Sequence, residues 1–162
     1  TDNVSKIMLT YGDLLFWRIK IKPGRPFAFG KIKDSFFIGF PGNPVAAVVT
    51  FLMLVTTFIK KLSGNVNYRN EPDYLKCDFS MKKKKNRVEW LRGNFISKNK
   101  KKIVRKFHTT GSGIISSLSK SNGIIQIDEE VEKIYRGNIL KFYRYQDLLN
   151  WGFYILQKSP KN

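Results

Sequence analysis

The feature that most limits what this chain can fold into is a strand that runs straight into a capped helix. Residues 36–40 form an uninterrupted apolar run, the pattern of a strand buried on both faces. Pro41-Gly42-Asn43-Pro44 follows with no spacer. Asn43 is a good N-cap, because its side-chain oxygen can accept from a free amide of the first turn. Pro44 suits the first helical position, where no N–H is needed. From Pro44 to about Leu62 the sequence is apolar on most sides, so the helix is expected to be buried. Lys60 and Lys61 fall in its last turn, where cations meet the negative end of the dipole, and Ser63-Gly64 ends it. Its apolar stretch, residues 45–59, is shorter than the roughly 20 residues of a membrane span, so no membrane association is expected.

Upstream, residues 17–22 alternate apolar and basic side chains, which reads as a half-buried strand. Alternation puts Arg18, Lys20 and Lys22 on one face and Trp17, Ile19 and Ile21 on the other. Pro23-Gly24-Arg25-Pro26 is a turn in which two prolines restrict the backbone around Lys22 and Arg25. Residues 27–32 read as a second strand, and 33–35 as a short hairpin turn. A helix start presents unpaired N–H groups and a partial positive charge, a ready site for an oxyanion. Gly42 would let an anion come close to the backbone. If the proline-rich turn lies beside Asn43, the two features form one positive pocket. The plainer alternatives are an ordinary strand-to-helix turn and an exposed basic hairpin.

Beyond Gly64 the pattern changes. Residues 65–72 are polar and contain a proline, a plausible linker. Short strands follow at about 74–81, 87–97, 102–109, 123–127 and 138–144, which suggests a small antiparallel barrel or sandwich. Thr110-Gly111-Ser112-Gly113 places glycines beside the Ser112 hydroxyl, where a phosphate could approach; an ordinary turn is the alternative. The 162 residues therefore divide into 1–66, 72–145 and a tail, 146–162, of uncertain type. The chain begins with Thr1, and it reads as part of a longer protein.

Apolar residues make up 42% of the chain, enough for a packed core and against wholesale disorder. The single cysteine, Cys77, excludes an internal disulfide and fits a cytoplasmic setting. Cys77 and the lone His108 cannot by themselves make a zinc site. No nucleophile constellation and no metal ligand set can be assembled. Asp128-Glu129-Glu130 and Glu132 read as a solvated turn. The net charge of +18 favours anionic partners. Residues 82–85 and 100–102, all lysine, leave open a nucleic-acid-binding β module, although Phe79 and Trp90 are the only nearby aromatic platforms. Solvated surface lysine is the plainer reading of the same charge.

Two motifs taken together resemble one family. Lys22-Pro23-Gly24-Arg25-Pro26-Phe27-Ala28-Phe29-Gly30, followed by Pro41-Gly42-Asn43-Pro44-Val45 at the head of an apolar helix, is similar to the KPGKPxxFG…LPGNPVS pattern of the molybdopterin molybdenumtransferases, the MoeA/gephyrin family. Leu91-Arg92-Gly93, the Ser112 loop, Ile115-Ser116-Ser117-Leu118 and Asn122-Gly123 resemble its C-terminal barrel. The resemblance covers roughly residues 5–143. It implies the C-terminal portion of an α/β molybdopterin-binding domain followed by a small antiparallel β-barrel domain. It further implies insertion of molybdate into adenylyl-molybdopterin with release of AMP, a Mg2+ requirement whose ligands lie in an N-terminal part outside this chain, and an elongated homodimer. Under it, Lys22 and Arg25 match basic positions that hold molybdate or cofactor phosphate, and Arg18 matches a lysine of the same strand. Pro41 and Pro44 match the prolines that shape the active-site loop, Arg92 and Ser112 match functional barrel residues, and these four with Arg18, Gly42 and Asn43 are expected to bind substrate. Where the family commonly has serine after PGNPV, this chain has Ala46. The lost donor to a charged group is worth about 1.5–3 kcal/mol. Without the N-terminal part, the chain alone is expected to be inactive, and a non-catalytic remnant or scaffold is a further reading.

Overall fold

A computed structural model describes residues 10–98, 101–107 and 115–150. The N-terminal half holds β1 (Asp13–Phe16), β2 (Ile21–Lys22), β3 (Ala28–Ile32), β4 (Ser35–Gly39) and the helix α1 (Pro44–Leu62). β1, β3 and β4 make an antiparallel sheet in that order, with Phe29 opposite Ile38 and a Lys33-Asp34 turn.

The strand expected over 17–22 is broken. The ladder of β1 slips in register between Leu14 and Phe16 and ends there. The alternation in burial nevertheless persists as far as Lys22. The break is productive, because the chain leaves the first sheet and β2 joins a second one. Residues 36–40 are not buried on both faces either. β4 is an edge strand of the described sheet, and Phe36 and Phe40 are 48% and 42% exposed. Phe58 of α1 covers one face, meeting the rings of Phe29 and Phe36 edge-on at 5.1 Å each.

α1 has 19 residues and is apolar enough that length and composition do not separate it from a membrane span, as the sequence reading supposed they would. Half of it is buried within the protein. Val45, Val49, Leu52 and Met53 pack against Trp90, Ile124 and Leu148, so the apolar face is used as core. The helix widens into a π-turn over Phe51–Val55. Thr50 and Thr56 flank this turn, and their hydroxyls donate back to the carbonyls of Ala46 (2.9 Å) and Leu52 (2.6 Å), the kind of local competition that loosens regular α-geometry.

The second half is a closed barrel. β5 (Asp73–Cys77), β7 (Val88–Lys98), β8 (Lys101–Lys106), β9 (Gly123–Ile127) and β11 (Ile139–Arg144) run in the order β7-β8-β5-β11-β9, and β9 pairs back onto β7. β5 and β8 pair parallel and the rest antiparallel, a mixture that strand spacing does not reveal. β6 (Met81–Lys82) and β10 (Lys133–Ile134) form a separate two-stranded ladder. α2 (Ser116–Ser119) and α3 (Tyr145–Leu148) are single turns. Leu75, Cys77, Val104, Ile125, Ile127 and Phe142 fill the barrel. On β9 the intervening Ile124 points outward to α1, so one strand serves both cores by its period of two. At Gly93 β7 lies close against its neighbours; a Cβ there would lie 2.6 Å from Ile125 Cδ1 and 2.8 Å from the Arg105 carbonyl.

Candidate functional site

β2 is what builds the site. It pairs parallel with β7, placing Ile21 opposite Val88 and Lys22 opposite Glu89, and the Val88 amide donates to the Lys20 carbonyl at 2.9 Å. The proline-rich turn that follows is therefore clamped to the barrel. The Lys22–Pro23 peptide is cis. Amides of Ile19 and Phe27 close the turn on the Arg25 carbonyl at 3.2 and 3.0 Å. The same turn meets α1. Gly24 has φ +104°, and a Cβ on it would lie 2.3 Å from Thr50 Cγ2 and 3.7 Å from Pro41 Cγ. Only glycine allows both this backbone conformation and this approach.

The result is a cleft of about 890 Å³ between the turn, the start of α1 and the outer face of the barrel. Arg18, Lys22, Arg25, Pro41, Gly42 and Asn43 all line it, as does Arg92. The expected convergence of the turn and the helix start is therefore present. Pro44 is not part of the lining; it occupies the first position of α1, and Asn43 caps that helix through Oδ1, which accepts from the Ala46 amide at 3.0 Å. That contact uses one amide of the first turn and Pro44 has none to give, so the helix start offers fewer donors than a generic one. Gly42 leaves open space where a side chain would stand. Ala46 lines the cleft without a hydroxyl. Ser112 lies outside the described residues, as does His108.

Arg92 rises from β7 two residues after Trp90, on the same outward face. It is 9% exposed, and its Nε donates to Ser117 Oγ at 3.1 Å. Burial pushes the guanidinium below its ordinary pKa, with Tyr145 acting in the opposite direction. Tyr145 is itself raised by burial, and its hydroxyl shares a 2.8 Å hydrogen bond with Ser121.

Sequence reasoning missed the residue at the centre of this arrangement. Glu89 is 2% exposed; its Oε1 accepts from Lys22 Nζ at 2.9 Å and its Oε2 from an Arg87 guanidinium nitrogen at 3.3 Å. It ties the turn to the barrel and fixes an ammonium that would otherwise be mobile. The one available signal was a carboxylate at an inward position of a strand. Lys84, Lys85, Arg87 and Lys106 also line the cleft from the barrel side.

Residues 74–145 match the family model for the MoeA C-terminal region, domain IV. The molybdopterin molybdenumtransferase of Haemophilus influenzae is 34% identical over 150 residues, which is 91% of this chain. The chain belongs to the MoeA/gephyrin family. Two solved MoeA structures from Pyrococcus horikoshii superpose with TM-scores of 0.72 and 0.62, at 20% and 30% identity. They cover 87% and 82% of this chain, and so include the α1 half as well as the barrel. The chain spans 37% of the Haemophilus enzyme and 34% and 32% of the two structures, about a third of its relatives' length.

Magnesium, which the family resemblance implies, finds no ligand set in this cleft. Among the described residues no three His, Cys, Asp or Glu side chains come together. Glu89 is the one carboxylate among the lining residues, and cations hold both its oxygens. A hard cation that needs several oxygen ligands does not fit there.

Proposed function

We propose that this chain supplies the anion-binding half of a molybdenum-cofactor biosynthetic enzyme, which inserts molybdate into adenylyl-molybdopterin and releases AMP. The observation that carries the reading is the single cleft in which the Lys22–Arg25 turn faces the Pro41–Asn43 segment, with nine lysines and arginines and one carboxylate among its lining residues. In this reading Lys22 and Arg25 contact the tetrahedral oxyanion. Arg92 offers a partly desolvated guanidinium, which suits a tetraoxoanion because its N–H groups diverge in a fixed fork. Arg18 extends the positive wall. Because these groups are braced before substrate arrives, by Glu89, Ser117 and the Gly24 contact, little reorganisation accompanies binding. Ala46 leaves the site one donor short of the common family pattern, and the family resemblance gives Ser112 a functional role. Residues 1–66 act as the end of the α/β domain and 72–145 as the barrel domain. Magnesium ligation and pairing into a homodimer rest on the part of the relatives' length beyond this chain, and the enzyme works in the cytoplasm.

The test is in two stages. Titration of this chain with molybdate at low salt should show saturable binding that weakens at least tenfold in Lys22→Ala and in Arg25→Ala. In a chain extended to its relatives' length, molybdate-dependent AMP release should fall with the same variants. Unchanged affinity and unchanged rates in both variants reject the assigned roles. Phe79 and Trp90, the two platforms considered for the nucleic-acid alternative, are 9% and 5% exposed, which weighs against stacking on them.

A further inference from the structure

The run of four lysines at 82–85 is not uniformly solvated: Lys82, Lys84 and Lys85 are exposed, but Lys83 is not. Lys83 is buried, 7% exposed, and its ammonium donates to three backbone carbonyls: Arg87 (2.8 Å), Lys84 (3.1 Å) and Glu129 (3.2 Å). Burial lowers its pKa, with Glu89 pulling the other way. Two further backbone bonds fasten the same loop to the 129–132 turn: the Lys83 amide to the Glu132 carbonyl at 2.8 Å, and the Asn86 amide to the Glu129 carbonyl at 3.1 Å. Asn86 takes the left-handed region, φ +61°. A buried ammonium used purely to shape main chain is costly unless each of its donors is satisfied. Here it turns a five-residue connection into a fixed scaffold.

What that scaffold presents is positive and faces the cleft. Lys84, Lys85, Asn86 and Arg87 all line it. Lys85 is only loosely neutralised, at 3.7 Å from Glu132, with both side chains more than half exposed. Arg87 reaches Glu89 through one terminal nitrogen at 3.3 Å, while its Nε–H is buried and has no acceptor. Unsatisfied buried donors are rare and call for an explanation. The cleft, at about 890 Å³, is also far larger than one tetrahedral oxyanion requires. A water-sized share of volume is roughly 30 Å³, and a tetraoxoanion takes a few times that.

We infer that the Lys83–Arg87 loop is a second anion subsite, which takes a phosphate ester or diphosphate of a small molecule beside the oxyanion held by Lys22 and Arg25. Lys84 and Lys85 contact the phosphate oxygens, and Arg87 turns its guanidinium so that the idle Nε–H gains an acceptor. Lys83 is a positioning residue. This deepens the molybdate-insertion reading, and rests on it for the identity of the substrate that carries the phosphate.

The experiment titrates this chain with inorganic pyrophosphate, with AMP and, separately, with molybdate, for the wild type, a Lys84→Ala/Lys85→Ala variant and a Lys31→Ala/Lys76→Ala control that removes the same charge outside the cleft. The expected result is a loss of at least tenfold in pyrophosphate and AMP affinity for the loop variant, less than about threefold for molybdate, and little change for the control. Lys83→Met, whose circular dichroism and urea midpoint are measured alongside, should weaken pyrophosphate binding with Lys84 and Lys85 still present. Equal losses for all three anions, or equal losses in variant and control, overturn the subsite as mere net charge. Tighter loop-dependent binding of a single-stranded oligonucleotide than of pyrophosphate also overturns it. If molybdate fails to bind while loop-dependent pyrophosphate binding remains, the molybdate reading falls and the loop stands.

Discussion

Gly24→Ala tests the contact on which the cleft depends. Two costs apply. The backbone at φ +104° is poorly tolerated by a residue with a Cβ, at about 1–3 kcal/mol. The new methyl would stand 2.3 Å from Thr50 Cγ2, where apolar carbons prefer about 3.5–4 Å, and relieving such overpacking costs about 1–3 kcal/mol more. The sum is roughly 2–6 kcal/mol, a large share of the ~5–15 kcal/mol that holds a typical domain together. Urea denaturation followed by tryptophan fluorescence reads the loss directly. Thr50→Ser separates the two parts. It removes Cγ2 while keeping the hydroxyl that donates to the Ala46 carbonyl, so the double variant should recover about 1–3 kcal/mol and leave the backbone cost. Molybdate affinity should fall in the single variant, because a turn pushed off α1 carries Lys22 and Arg25 with it. A Gly24→Ala destabilisation under about 0.5 kcal/mol, or no coupling to Thr50→Ser, would refute the claim that this packing seats the turn.

Three further outcomes follow from the same geometry. Ala46→Ser should tighten molybdate binding by about ten- to a hundredfold, since a hydrogen bond to an ion is worth about 1.5–3 kcal/mol; calorimetric titration checks it. Asn43→Ala should cost about 0.5–2 kcal/mol in urea by removing the acceptor of the Ala46 amide. The Asp128–Lys141 pair, at 2.8 Å, should give a pH signature. Burial pushes the Asp128 carboxyl up, but hydrogen bonds from Lys141 and Gln126 outweigh this and hold it below its ordinary value. Its contribution is present above the unfolded carboxylate pKa and is lost as pH falls through the lower folded one. Lys141 is raised, chiefly by the hydrogen bond to Asp128. Its contribution is present below the unfolded lysine pKa and is lost as pH rises through the higher folded one. Asp128→Asn should flatten both limbs of a urea-midpoint profile by about 0.2–1 kcal/mol, the scale of a half-exposed pair.

Local chemistry made much of the fold legible. Asn43-Pro44 marks the start of α1, Ser63-Gly64 its end, and β9 falls at the strand expected over 123–127. The paired motifs pointed to one cleft because both are stiff backbone features whose placement depends little on distant residues. What stayed hidden was long-range. The switch of residues 17–22 from one sheet to another depends on β7, more than 60 residues away, which no local period encodes. Glu89 and Lys83 look like ordinary charged residues in sequence, and only burial gives them their roles. The apolar run at 36–40 misled because it counts side chains without knowing that β4 lies at an edge.

The parallel pairing of β2 with β7 bears on how this protein can be cut and recombined. The strand beside the barrel's long β7 comes from the other half of the chain, and Trp90 and Ile124 find their packing partners on α1. A barrel excised at the polar connection would lose a hydrogen-bonded neighbour and bare an indole at once. Chimaeras between relatives should therefore tolerate a crossover upstream of Arg18 better than one at residues 65–72, where the sequence looks most severable.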